Sequence, residues 1–264
     1  MLIVVVLLQA QKPPAAPPHA PASTPNQTVI GPQSQIRPVA PGYKFANGQK
    51  LVYEVEWRLL SAGVATILME NTGQEQHITA TADSIGVVSL LYRVHDRFEA
   101  YFDPKTFCSS LITRRTEEGF RRMDTLIRFE YDRRKSVLQQ KNLKTGQTRQ
   151  VENDIPSCAT DVVSGIFYLA SQPLQNGVTY MFPLNDGGKT VDVQARVEAH
   201  EEVKTPAGTF QTLRVQPEAA SGLLKDKGRI WIWYSDDGAH TPVQMRARLF
   251  WGTLTFRLQR IERK

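Results

Sequence analysis

The sequence predicts an all-β, mainly antiparallel domain: a single curled sheet forming an open barrel or β-spiral, with one or two short helices packed on it. Three observations carry this. From residue 43 onward, apolar and polar side chains alternate with a period of two, run after run, as half-buried strands require. Short turns rich in Gly, Asn and Asp separate the runs, and no Pro/Ser-rich linker interrupts them. Only one segment carries a strong helical stripe. Thirteen strand-length runs cannot lie in one flat sheet, so the sheet must close on itself or cover its edges.

The chain before residue 43 is of another kind. Residues 1–10 form a compact apolar run, Leu2 to Leu8, followed by Gln9 and Ala10, and read as a truncated secretory signal peptide without its basic n-region. The run is far shorter than the roughly 18 residues needed to cross a bilayer, and no later segment is a candidate. Residues 11–42 contain nine of the sixteen prolines, repeated Ala and no acid. So little apolar surface cannot offset the entropy of ordering, and the segment reads as a tether. Residues 43–264 then form a single β domain. The chain is expected to be exported to the periplasm or cell envelope.

Within the domain, the first strand spans 51–59, with Leu51, Tyr53, Val55, Trp57 and Leu59 on one face and Val52, Glu54, Glu56 and Arg58 on the other. The same reading applies to 62–70, 76–83, 94–102, 111–117, 124–131, 136–141, 178–184, 190–202, 210–216, 228–234, 242–250 and 253–261. Turn pairs such as Asn47-Gly48, Thr72-Gly73, Thr145-Gly146 and Trp251-Gly252 separate them. The helical stripe lies in 159–171, with Thr160 expected as N-cap and Pro173 as stop. A shorter helix is expected over 85–92. An apolar helix in a β protein should lie against the inner or open face of the sheet.

One strand has no polar side: Ile230, Trp231, Ile232, Trp233 and Tyr234 are apolar on both faces. One face must meet the core, and the other lies under a helix or lines an apolar cavity. Trp231, Trp233, Tyr53 and Trp57 are the candidate walls of a lipid-sized pocket. The alternative is that these aromatics only fill the core.

Charge and reactive residues point to no reaction. With 32 basic and 26 acidic residues the net charge is +6, and Arg246, Arg248 and Arg257 form a candidate basic surface. In an exported protein this suits acidic lipid headgroups or envelope polymers better than nucleic acid, though it also fits an ordinary solvated exterior. The five histidines lack metal-type spacing, no cofactor motif is present, and Ser164 lacks the Gly-x-Ser-x-Gly elbow of a hydrolase. His95 and Asp96, adjacent on a strand, must point to opposite faces. The two cysteines, Cys108 and Cys158, read as one structural bridge. The competing reading is a reactive Cys158 at a helix start, which lacks a partner histidine or resolving cysteine.

Longer motifs resemble a known family. The run from Phe45 to Trp57, Phe-Ala-Asn-Gly-Gln-Lys-Leu-Val-Tyr-Glu-Val-Glu-Trp, followed by Ala62-Gly63-Val64-Ala65, is similar to the opening of the bacterial domain of unknown function 3108 family. So are Asp96, Phe98, Tyr101, Asp103 and Pro104; Asp161-Val162-Val163-Ser164 with Phe167-Tyr168; Thr205 to Phe210; and Trp233 to Asp236 with Pro242-Val243. The chain departs from the pattern at Gln49 and Ala170. The resemblance implies a secreted or periplasmic β protein without catalytic residues, similar in architecture to periplasmic lipoprotein carriers. The leading expectation is therefore a non-enzymatic envelope protein binding an apolar or amphiphilic ligand. The alternative is an envelope protein-interaction module with a closed core; a hydrolytic or redox enzyme fits less well.

Overall fold

A computed structural model describes residues 34–58, 60–219, 228–249 and 251–263. The signal-like run 1–10 and the first part of the Pro-rich segment lie outside the described residues. Period-two alternation becomes one continuous antiparallel sheet of fourteen strands among the described residues. The first eight are β1 (Gln49–Trp57), β2 (Leu60–Asn71), β3 (Gln76–Ser84), β4 (His95–Phe102), β5 (Ser109–Glu118), β6 (Arg121–Glu130), β7 (Lys135–Asn142) and β8 (Thr148–Asp154). They are followed by β9 (Thr179–Asn185), β10 (Thr190–Thr205), β11 (Gly208–Ala219), β12 (Arg229–Ser235), β13 (Pro242–Leu249) and β14 (Gly252–Arg263). Two α-helices interrupt them, α1 (Gly86–Leu91) and α2 (Val162–Ala170).

Each half is a meander, and β1 pairs with β14 to join them, so the order runs from β8 through β1, then β14 back to β9. The two outermost strands, β8 and β9, flank the α2 segment in sequence, and the sheet curls without closing: no ladder joins them among the described residues, and Thr160 and Gln35 cover the β9 edge with backbone hydrogen bonds. The seam is held by Asn153 Nδ2 donating to the Gly187 carbonyl (3.1 Å), with Asn185 Nδ2 reaching Ser136 Oγ at 3.5 Å. Gly187 is required there: at φ +90° a Cβ would lie 2.4 Å from Ile127 Cδ1.

β8 is a strand the periodicity does not predict. In Thr148–Asp154 only Val151 is apolar, and no residue of the strand is buried, so an edge strand without an inner face leaves no alternation to read. The expected N-cap also changes. Asp161, not Thr160, caps α2, its Oδ1 accepting from the Val163 and Ser164 amides at 2.9 and 3.0 Å. Thr160 is instead held by its backbone, its amide donating to the Pro183 carbonyl and its carbonyl accepting from the Asn185 amide.

The interior of so wide a sheet needs filling, and α2 fills it. Seven of its nine residues are buried, and Tyr234 Oη donates to the Ile166 carbonyl at 2.8 Å. Residues 34–42 of the Pro-rich segment run across the same helix, the Arg37 amide donating to Tyr168 Oη (3.0 Å) and the Ala40 amide to the Ser171 carbonyl (2.9 Å). Cys108 and Cys158 form a disulfide that ties the β4–β5 loop to the chain entering α2, across a separation of 50 residues.

Candidate functional site

Along β4 and β5 the inward positions change character. Phe102, Ala100 and Phe98 give way to Asp96, and Ile112 gives way to Arg114, Thr116 and Glu118, all of them buried. The core is apolar near the disulfide and polar at the opposite mouth of the curled sheet.

An apolar pocket of about 310 Å³ opens at that mouth. Val55 and Trp57 of β1, Ala82 of β3, and Leu254 and Phe256 of β14 line it, and Glu118 at the end of β5 is its buried carboxyl. Val88 and Tyr92 of the α1 segment face it, so α1 stands at its entrance. None of the residues of α1 is buried, and Val87, Leu90 and Leu91 are 71%, 85% and 80% exposed. A short helix that shows three large apolar side chains to water is not there for its own stability.

Two polar atoms on side chains that line this pocket lack a hydrogen-bond partner among the described residues. Glu118 is 2% exposed, and its Oε1 has no hydrogen-bond partner among the described residues. Its carboxyl shares a hydrogen bond with Asp96, which also accepts from the Glu117 amide at 3.0 Å. Burial first, then the Asp96 charge, pushes the Glu118 carboxyl up to about 7, so a proton resides in this pair well above the ordinary carboxylate range. Burial likewise lowers the pKa of the Arg114 guanidinium deeper in the barrel, opposed by Asp186. The second unpartnered group is the buried Nε1–H of Trp57. Gly252 keeps the β13–β14 turn against this indole: at φ +146° a Cβ there would lie 2.8 Å from Nε1.

Two other cavities serve as comparison. A smaller chamber of about 130 Å³ lies between α2 and the sheet, with Ile230, Ile232 and Met245 in its wall. An open polar groove of about 560 Å³ crosses the outer side of β4–β8. Two of its arginines are engaged locally, Arg97 with Glu99 at 2.5 Å and Arg115 with Glu117 at 3.0 Å, as on an ordinary solvated face.

Of the four aromatic candidates, the pocket gathers one, Trp57. Tyr53 is fully buried in the core, its hydroxyl donating to the Pro242 carbonyl at 2.7 Å. Trp231 and Trp233 point outward, because Ile230, Ile232 and Tyr234 take the inner face under α2. Trp233 is nevertheless buried, under Arg246 (5.4 Å from the ring) and with its Nε1–H donated to Glu201 Oε1 at 2.7 Å. Arg246, Arg248 and Arg257 share that outer face; the first two are exposed, and Arg257 is paired with Glu56 at 3.1 Å. Composition singles out neither Glu118 nor Asp96. The available signal is Asp96 itself, an acid in phase with Phe98, Ala100 and Phe102 on an apolar face.

The curled sheet is similar to that of a β-barrel-like protein of the domain of unknown function DUF1849 from Brucella abortus, at TM-score 0.59 and 9% identity, covering 88% of this chain and 100% of that chain. More distant likenesses, both at TM-score 0.37, are a protein with a YmcC-like fold from Bacteroides fragilis and the hypothetical protein CT021 from Chlamydia trachomatis. The first is 10% identical over 84% of this chain and 98% of that one; the second is 7% identical over 82% and 87%. No curated protein matches the sequence. Residues 52–259 match the family described as protein of unknown function (DUF3108), and with that match spanning nearly the whole curled sheet, the chain belongs to the DUF3108 family.

Proposed function

We propose that this protein is an exported, non-enzymatic component of the cell envelope that holds an apolar or amphiphilic, lipid-like ligand inside its curled sheet. The observation that carries the reading is the apolar pocket at the polar mouth, attended by a helix whose own apolar side chains face water. The Cys108–Cys158 bridge supports an oxidising compartment, with residues 1–10 as export signal and the Pro-rich residues ahead of the docked stretch 34–42 as tether.

Native mass spectrometry of protein purified without detergent tests this. Lipid-mass adducts are expected on the wild type and should be depleted in Ala82→Phe, which fills the pocket, provided its melting temperature stays close to the wild-type value. A bare mass, together with no uptake of an apolar fluorescent probe, would overturn it. The second reading, a protein-interaction module, would then lead, because the same exposed Val87, Leu90 and Leu91 could dock a partner.

A further inference from the structure

We infer that the pocket selects a neutral amphiphile whose polar group both donates and accepts a hydrogen bond, an alcohol or a carboxamide, and that Glu118 and Trp57 are the side chains that recognise it. The inference rests on the lipid-binding reading and names its ligand class.

In a dry pocket, hydrogen-bond complementarity selects the ligand. Glu118 Oε1 is an acceptor with no donor, and Trp57 Nε1–H is a donor with no acceptor. Both side chains belong to the lining of one pocket that is otherwise apolar apart from Asp83, Ser84 and Tyr92. Buried polar atoms in native proteins are normally satisfied, so two orphans of opposite sense in one cavity describe the group that is missing. A hydroxyl or an amide supplies both halves. An ammonium would satisfy Glu118 but could accept nothing from the indole.

Charge narrows the class further. The groups around Glu118 are Asp96 on β4, Tyr92 after α1, Arg114 on β5 and Arg121 at the start of β6, while Asp83 on β3 is paired with His95 at 2.5 Å. Asp96, the acid hydrogen-bonded to Glu118, is itself buried and acts on Glu118 more strongly than Arg121 does, so in alkaline solution a ligand carboxylate placed against Oε1 would meet two negative charges in a low-dielectric site. A fatty acid anion is therefore the disfavoured amphiphile. Near and below neutral pH the Glu118–Asp96 pair retains a proton and the repulsion weakens; in alkaline solution it is complete.

The test compares equal chains with different heads. Octanamide, octan-1-ol and octanoate are titrated at pH 8.5 against the full, disulfide-bonded protein carrying the neutral fluorophore N-phenyl-1-naphthylamine, and displacement is read as a Kd. Octanamide and octanol should bind about tenfold more tightly than octanoate. Glu118→Gln, which removes one charge and keeps the hydrogen-bonding shape, should narrow that ratio at least about threefold. Trp57→Phe should weaken octanamide about fivefold, read against the fluorophore's own Kd for that variant. Octanoate binding as tightly as octanamide, or a ratio that neither folded variant moves, overturns the inference while the lipid-binding reading stands. Failure of the fluorophore itself to bind the wild type overturns both.

Discussion

Glu118 is held with most of its carboxyl out of water and with Asp96 as hydrogen-bond partner, and this makes the fold a reservoir for one proton. Its ordinary value is 4.5, and in the fold it is raised to about 7. Between these two limits the native state keeps a proton that the unfolded chain releases, so stability falls as pH rises through that window. The contribution is fully present below the lower value and lost above the upper one. Urea midpoints measured at pH 5 and pH 8 should show the wild type less stable at pH 8, and Glu118→Gln should flatten this part of the profile. The two outward tryptophans provide a second residue-scale prediction. Trp233 is buried and hydrogen-bonded to Glu201, so Trp233→Ala should cost about 3 kcal/mol or more. Trp231 is only half-buried, and Trp231→Ala should cost about 1 kcal/mol. Urea denaturation measures both costs, and because both rings lie outside the barrel, fluorophore binding should be unchanged in either variant.

At the scale of elements, the two helices divide the labour. α2 is a core element: capped by Asp161, buried on nearly every side and hydrogen-bonded from β12 through Tyr234. The stripe of Val162, Val163, Ile166 and Phe167 made it legible in the sequence because a helical period survives whatever the helix packs on. α1 is six residues long and has none of them buried, so the sequence shows its apolar content and not its purpose. Leu90→Ser with Leu91→Ser should change stability by no more than about 0.5 kcal/mol, since neither side chain is buried. The same double variant should weaken fluorophore uptake several-fold if these side chains guide the ligand to the pocket. Thermal melts paired with probe titration separate the two effects. β8 stands at the other limit, an edge strand held by backbone pairing to β7 with a single valine, and so invisible to periodicity.

For the whole molecule, the curl brings β8 to the β9–β10 turn while the chain entering α2 lies along β9, and the disulfide acts on the chain that makes that crossing. Cys108 and Cys158 are 50 residues apart, and closing such a loop restricts the unfolded chain by about 4 kcal/mol on the chain-entropy estimate. A Cys108→Ser, Cys158→Ser double variant should therefore unfold at a markedly lower urea concentration than the oxidised wild type, and the reduced wild type should match the variant. Because the bridge lies at the apolar end, away from the Glu118 mouth, folded variant protein should retain its preference for octanamide over octanoate.

The sequence alone determines the elements and the class: thirteen of the fourteen strands, both helices and the curled antiparallel sheet follow from local alternation and turn chemistry, which depend only on near neighbours along the chain. The pairing of two cysteines was likewise within its reach, since an oxidised chain with two thiols has one intramolecular choice. What only the tertiary structure decides is which way a two-faced strand turns and which distant polar groups meet. In β12 both faces are apolar, so nothing local tells Ile232 from Trp233; the α2 helix over one face and the Arg246 and Glu201 side chains over the other break the tie. Likewise Asp96 and Glu118 sit on separate strands, and they become a proton-sharing pair because the β4–β5 register, with Val94 opposite Glu118, sets them diagonally on the same inner face at a mouth that burial dries. Periodicity is a property of the chain, whereas desolvation and cross-strand contact are properties of the folded surface, and the pocket is made of the second kind.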